Sequence, residues 1–117
     1  MPSFRQIMRR VFDSDRNNLK ISQDITGIGD GEKDTVSAGT RVALAASTAC
    51  KMVDVQAKEG NTGVVVVGGA TVVAALATRR GAALTPLSSV RIYCDNLADI
   101  YLDSMVDAEG VTFVYYT

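Results

Sequence analysis

Residues 60–69 read GNTGVVVVGG, and this stretch sets the expected class of fold. Four consecutive valines at 64–67 favour a strand, and their lack of alternation with polar residues predicts a strand covered on both faces. Gly68 and Gly69 tolerate the positive φ of a tight turn, which predicts a hairpin. Residues 71–75 are therefore expected to pair back as its second limb.

On both sides of this stretch, short apolar runs are separated by turn residues, as is typical of an antiparallel sandwich or barrel. Strands are expected over residues 41–45, 50–57, 82–85, 89–94, 100–103 and 111–116. Tyr115 and Tyr116 are adjacent on the last of them, so one should face the core and the other solvent or an interface. The predicted fold class is mainly β, an antiparallel, jelly-roll-like β-sandwich.

The N-terminal residues have a different pattern, that of a short amphipathic helix over residues 3–13. Its apolar face consists of Phe4, Ile7, Met8, Val11 and Phe12. Arginines, including Arg9 and Arg10, fall on the opposite face. A helix this short needs a cover for its apolar face. The cover is either the chain's own sheet or a neighbouring subunit that receives the helix in a groove.

Between this helix and the β-rich region, residues 19–28 alternate imperfectly and predict a strand or an extended arm. The glycines of residues 27–31 then predict a loop. A phosphate-binding loop is disfavoured there because the following segment is acidic and not helix-like. The chain is accordingly divided into residues 1–35, an N-terminal helix with an arm or linker, and residues 36–117, a β-sandwich domain.

Charge and hydropathy limit the classes of partner. The chain has 117 residues and a formal net charge of −1, which gives no bulk attraction to nucleic acid. No apolar run is long enough for a membrane helix, and the first ten residues lack the apolar core of a secretory signal. The charge is uneven, however, because the N-terminal region is rich in arginine and residues 95–109 are purely acidic. Such asymmetry suits docking between copies or onto a protein partner.

The residues available for chemistry are few. The chain has no histidine, the commonest general base and metal ligand. Cys50 and Cys94 are too few for a disulfide scaffold and are expected to be buried free thiols, although a disulfide between them remains open. An acidic repeat, Asp95, Asp99, Asp103 and Asp107, does not follow a calcium-binding loop. We predict a non-enzymatic protein with no catalytic, cofactor or metal site.

Residues 78–81 read TRRG and predict an exposed basic turn. Arg79 and Arg80 are either simply solvated or in contact with an acidic partner surface. The predicted partner-binding residues are therefore Phe4, Ile7, Met8, Val11, Phe12, Arg9, Arg10, Arg79 and Arg80.

Four segments of residues 38–113 carry a resemblance to a known group of proteins. They read AGTRVALAASTACKMVDVQA, NTGVVVVGG, RRGAALTPLSSV and DNLADIYLDSMVDAEGVTF. Together they resemble small β-sandwich modules encoded among the structural genes of tailed bacteriophages, and LKISQDITGIGDGEK resembles the linker that often precedes such modules. The pattern is one of turns and strands, and it departs from the group at residues 74–77, where an Ala-rich link replaces a more polar turn.

The resemblance implies a virion component, assembled in the host cytoplasm, that binds other subunits and has no catalytic residues to transfer. The leading hypothesis is a capsid decoration, or cement, protein that stabilises the lattice of the major capsid protein. A homo-oligomer is expected, with a trimer favoured. The alternatives are a tail, fibre or baseplate component and a host-glycan-binding module. The glycan hypothesis is disfavoured by the absence of Trp and an aromatic content of 6%.

Overall fold

The structure is a computed structural model, and it describes residues 25–117. Its strands are β1 Ile28–Asp34, β2 Val42–Ala43, β3 Met52–Ala57, β4 Val65–Gly68, β5 Ala82–Leu84, β6 Ser89–Tyr93, β7 Tyr101–Ser104 and β8 Gly110–Tyr116. Two short 3₁₀ turns, Leu76–Thr78 and Leu97–Asp99, are the helical elements of the described part. The predicted helix over residues 3–13 lies outside it.

The strands form two four-stranded antiparallel sheets. Sheet A has the order β1-β8-β3-β6, and sheet B has the order β2-β7-β4-β5. The first strand pairs with the eighth, the second with the seventh, the third with the sixth and the fourth with the fifth. The chain thus runs as one long hairpin wound into two layers, and the prediction of a mainly β antiparallel fold is confirmed.

The main core lies between the two sheets. It consists of inward-facing side chains and a few loop residues, namely Leu44, Cys50, Val53, Val55, Ala57, Val65, Val67, Leu84, Leu97, Ile100, Leu102, Val111 and Phe113. Full burial of a valine or leucine side chain contributes about 1.5–3 kcal/mol. Tyr115 packs against this core, whereas Tyr116 lies on the other face of sheet A, so the two tyrosines face opposite sides as predicted.

Strand β4 is covered on both faces, as its unbroken run of valines predicts. Its valines are at most 1% exposed. The outer cover is residues 69–81, called here the crossing segment, whose Val72 and Ala74 pack on Val66. The predicted hairpin at Gly68 and Gly69 is wrong, because β4 pairs with β5 and β7 while residues 71–75 lie across the sheet.

A different glycine has the special conformation that this connection needs. Gly81, where the crossing segment enters β5, has a φ of 115°. A Cβ there would lie 2.8 Å from Val66 Cγ1 and from the Val67 carbonyl oxygen. Glycine is therefore required for the close approach of this turn to β4.

The glycine-rich segment expected to be a loop is strand β1, and that prediction is wrong. Residues 28–34, assigned to the arm, pair along their whole length with β8. Gly29 and Gly31 face the aromatic rings of Tyr115 and Phe113, and a Cβ on either glycine would overlap the ring opposite. The rings of one strand cover the glycines of the next, which compensates for the side chains that glycine lacks.

Polar side chains join two distant turns at one end of the sandwich. The Asn61 amide donates to the Gly110 carbonyl at 2.8 Å and accepts from the Gly110 N–H at 3.2 Å. Glu109, which is 6% exposed, accepts from the backbone N–H of Gly63 at 2.9 Å and from that of Thr62. The turn at Asn61-Thr62-Gly63 and the turn at Glu109-Gly110 are therefore one structural unit.

Candidate subunit-binding face

The two outer faces of the sandwich differ. The crossing segment covers much of the outer face of sheet B, whereas the described residues leave the outer face of sheet A open. We call this open surface the A face. It consists of every second residue of its four strands, namely Ile28, Asp30, Glu32, Met52, Asp54, Gln56, Ser89, Arg91, Tyr93, Thr112, Val114 and Tyr116.

One row of the A face is apolar. The strand register places Ile28 beside Tyr116, Tyr116 beside Met52, and Met52 beside Tyr93. Ile28 is 71% exposed and Tyr93 is 72% exposed. A contiguous apolar surface of this kind, bordered by polar residues, is typical of an interaction site. Tyr, Met and Arg are also residue types enriched in interfaces.

The neighbouring row of the A face contains a hydrogen-bonded ion pair between Arg91 and Asp54. The Arg91 guanidinium donates two hydrogen bonds to the Asp54 carboxylate, at 2.8 and 3.1 Å. The Tyr116 hydroxyl donates to the same carboxylate at 3.0 Å. Arg91 holds the pKa of Asp54 below its ordinary value, a shift that partial burial opposes and Tyr116 reinforces. The apolar row is thus anchored to an ordered network, which orients the Tyr116 ring.

The edge strand β1 makes the face acidic. Glu32 and Asp34 both pair with Lys58, at 3.0 and 2.8 Å, and these carboxylates raise the pKa of the Lys58 ammonium. Asp30 has no side-chain partner among the described residues, and it borders the shallow depression at the centre of the face. With Asp34 and Lys58 included, four carboxylates face two cations, a local net charge of −2.

The predicted partner-binding arginines of the turn do not lie on the A face. Arg79 is half-buried, donates from Nε to the Ala74 carbonyl at 3.0 Å, and places Nη2 3.0 Å from Met105 Sδ. Its side chain thus contacts two parts of the described chain, the crossing segment and the residue that follows β7. Arg80 is exposed and pairs through its backbone with Val73. The other predicted residues, Phe4 to Phe12, lie outside the described part of the chain.

Sequence reasoning missed the A face as a site. The alternation in β3 and β6 predicts which side chains point outward, but it does not show which strands are neighbours. The apolar row exists only because β8 lies between β1 and β3, a pairing between residues far apart in the sequence. β1 gave no strand signal, because two of its inward positions, Gly29 and Gly31, are glycines and the third is Lys33.

The two thiols lie at the β3–β6 end of sheet A. Cys50 is buried, Cys94 is half-buried, and both are free, with their Sγ atoms 3.3 Å apart. Burial and the neighbouring Cys94 raise the pKa of the Cys50 thiol to about 12. The Cys50 thiol is accordingly protonated at neutral pH and a poor nucleophile.

Within residues 25–117, no group of three or more cysteine and acidic side chains is arranged to hold a metal ion. The same residues contain no helix long and apolar enough to cross a bilayer. Comparison with protein-family models, with curated proteins and with solved structures gave no match to this chain. Any function proposed for the protein therefore rests on the A face and on the resemblance in the sequence.

Proposed function

We propose that this protein is a structural subunit of a tailed-bacteriophage virion that binds other subunits through its A face. The leading assignment is a capsid decoration protein on the lattice of the major capsid protein. The observation that carries the proposal is the apolar row of Ile28, Tyr116, Met52 and Tyr93, whose two ends are exposed and which lies beside an ordered ion pair on one side of the sandwich. Its burial against a protein partner would remove apolar surface from water without moving the backbone.

The winding of the chain supports this assignment. The strand pairs are β1 with β8, β2 with β7, β3 with β6, and β4 with β5. This nested pairing is the arrangement of a jelly roll. Jelly rolls occur in viral capsid domains and also in lectins. Because one fold hosts many functions, the topology adds weight only together with the binding face.

A second candidate follows from the same surface. Lectins use exposed aromatic rings as platforms for sugars, and Tyr93 is an exposed ring beside the hydrogen-bonding groups of Arg91 and Asp54. A glycan-binding function predicts specific signals on a glycan array that Tyr93→Ala abolishes. A tail, fibre or baseplate subunit, in contrast, would use the A face for protein contacts at few copies per particle.

The A face is tested by substitution of one exposed side chain. Tyr93→Asp places a charge in the apolar row and is expected to abolish incorporation of the protein into particles assembled in infected cells. Leu76→Asp is the matched control, because Leu76 is 75% exposed but lies in the crossing segment on the opposite side. Equal incorporation of the two variants, with both folded by circular dichroism, would contradict the proposal.

A further inference from the structure

Cys50 and Cys94 are the two cysteines of the chain, and the fold places their side chains next to each other. Their Sγ atoms lie 3.3 Å apart, and the Cys50 thiol donates to the Cys94 carbonyl oxygen at 3.4 Å. An S–S bond is ~2.0 Å long, so the two sulfurs need to approach by ~1.3 Å to form one. Two residues that are 44 positions apart in the sequence are thus within reach of a covalent bond.

Strand pairing holds the backbone on both sides of the two thiols. On one side, Met52 at the start of β3 pairs with Tyr93 at the end of β6. On the other side, Ala49 forms an isolated bridge with Asn96. The two chain segments that carry the thiols are therefore already held together, and side-chain rotation brings the sulfurs closer with little change in the backbone.

We propose that Cys50 and Cys94 form a disulfide within the monomer when the folded protein meets a small oxidising disulfide such as glutathione disulfide. The pair is then a modification site that links the start of β3 to the end of β6. Reducing compartments keep such thiols free, and oxidising surroundings close the bond. The inference goes beyond the proposed function, because it does not depend on what the A face binds.

The difference in burial determines the order of the two chemical steps. Cys94 is half-buried and Cys50 is buried, so Cys94 reacts first. Its thiol loses a proton to solvent, and its sulfur attacks the glutathione disulfide, which leaves a mixed disulfide on Cys94 and releases one glutathione. Cys50 then loses its proton and attacks Cys94 Sγ, which forms the Cys50–Cys94 bond and releases the second glutathione. The two cysteines lose two electrons in total, and one glutathione disulfide gains them and takes up two protons.

Burial also protects the bond once it has formed. An attacking thiol reaches the sulfur of the half-buried Cys94 more readily than that of the buried Cys50. The leaving group is then Cys50, whose thiol has a pKa raised, chiefly by burial, to about 12. A thiolate of such high basicity leaves slowly. The disulfide is therefore a lasting link and not a transient catalytic one.

The test follows the two thiols of the folded full chain in glutathione buffers. The reduced protein is incubated with excess glutathione disulfide, denatured and alkylated with N-ethylmaleimide, and its intact mass is measured. We expect a monomer without alkylated cysteine that is lighter than the reduced chain by two hydrogen atoms. The bond closes a loop of ~45 residues, so oxidation is expected to raise Tm by ~10 °C or more.

Two matched variants separate the two steps. Cys50→Ser is expected to stop at the mixed disulfide between Cys94 and glutathione. Cys94→Ser retains only the buried thiol and is expected to gain severalfold less glutathione in the same time. Equal modification of the two variants would contradict the order of the steps. The measurement on the unsubstituted chain does not depend on the folding of either variant.

Four results for the unsubstituted chain would each overturn the inference. They are two alkylated cysteines after oxidation, a lasting mixed disulfide with glutathione, disulfide-linked dimers in place of the monomer, and a fall in Tm on oxidation. The last would show that the fold does not accommodate the bond. The proposed function is tested separately, by the incorporation of Tyr93→Asp into particles, and its failure would leave the disulfide untouched.

Discussion

Asp103 is a buried carboxylate that anchors the crossing segment to sheet B. It is 2% exposed, and its Oδ2 accepts from the Ala74 N–H at 2.8 Å while Oδ1 accepts from the Ser104 N–H at 2.9 Å. Asp103→Ala would leave both donors without this partner, so we expect a loss of about 1–3 kcal/mol in the free energy of unfolding. Urea denaturation followed by circular dichroism measures it.

Two further variants sharpen this prediction. Asp103→Asn keeps an acceptor oxygen and should cost less than Asp103→Ala. Asp99→Ala removes an exposed carboxylate that makes no side-chain hydrogen bond or ion pair with the described residues, and it should change stability by less than about 0.5 kcal/mol. If Asp103→Ala proved as mild as Asp99→Ala, the crossing segment would not depend on this anchor.

Asp54 determines a pH dependence of the A face. Its pKa in the folded protein lies below the ordinary value of 3.8, chiefly because of the hydrogen bonds from Arg91. A depressed folded pKa contributes stability that is fully present above the unfolded pKa and is lost as the pH falls through the folded value. The Asp54–Arg91 network should therefore be intact at neutral pH and weaken only below about pH 4.

The direction of this shift is measurable by NMR titration of the Asp54 carboxyl carbon. Arg91→Gln should raise the pKa of Asp54, because it removes the largest favourable interaction of the charged form. Arg80→Gln, which removes an exposed arginine on the other side of the sandwich, should leave that pKa unchanged. A pKa of Asp54 that did not respond to Arg91→Gln would contradict the ion pair.

Strand β1 depends on glycines that receive aromatic rings. Gly31→Ala would place a Cβ 2.6 Å from Phe113 Cζ, so the ring must move out of the core or β1 must move away from β8. We expect a loss of about 1–3 kcal/mol, the usual cost of overpacking. Hydrogen exchange should show faster exchange for β1 amides in particular.

Gly60→Ala is the matched control for Gly31→Ala. A Cβ on Gly60 would meet no other atom within 4 Å, and the residue lies in a turn. Its substitution should be neutral or slightly stabilising, because alanine reduces the freedom of the unfolded chain. Equal effects of the two substitutions would show that the rings do not pack on the glycines.

The strands show how far periodicity determines the fold. Short apolar runs bounded by turn residues predicted β3, β6 and β8, and the adjacent tyrosines predicted that β8 has one buried and one open face. The pattern failed at β1, where cross-strand rings replace side chains, and in the crossing segment after β4, where a tight hairpin was inferred from Gly68 and Gly69 alone. Both failures depend on contacts between distant residues, which local propensity does not encode.

The molecule as a whole has one covered side and one open side in its described part. The crossing segment closes the outer face of sheet B through Val72, Ala74 and the Asp103 anchor, and the A face presents an apolar row between charged groups. This difference between the two sides favours binding of a partner through the A face alone. A subunit that sits on the surface of a larger assembly needs such a one-sided contact. The site could not be predicted from the sequence because the row combines four strands that are far apart in the sequence.

Binding to a virion through the A face is tested by the copy number and position of this chain in purified particles. Quantitative mass spectrometry gives the copy number, and a particle reconstruction gives the orientation. The proposal predicts many copies on the head, with Tyr93 and Ile28 buried against a neighbouring subunit. A few copies at the tail would contradict the decoration assignment and favour the tail alternative. Absence from the particle, or an A face that points to solvent, would contradict the proposed function itself.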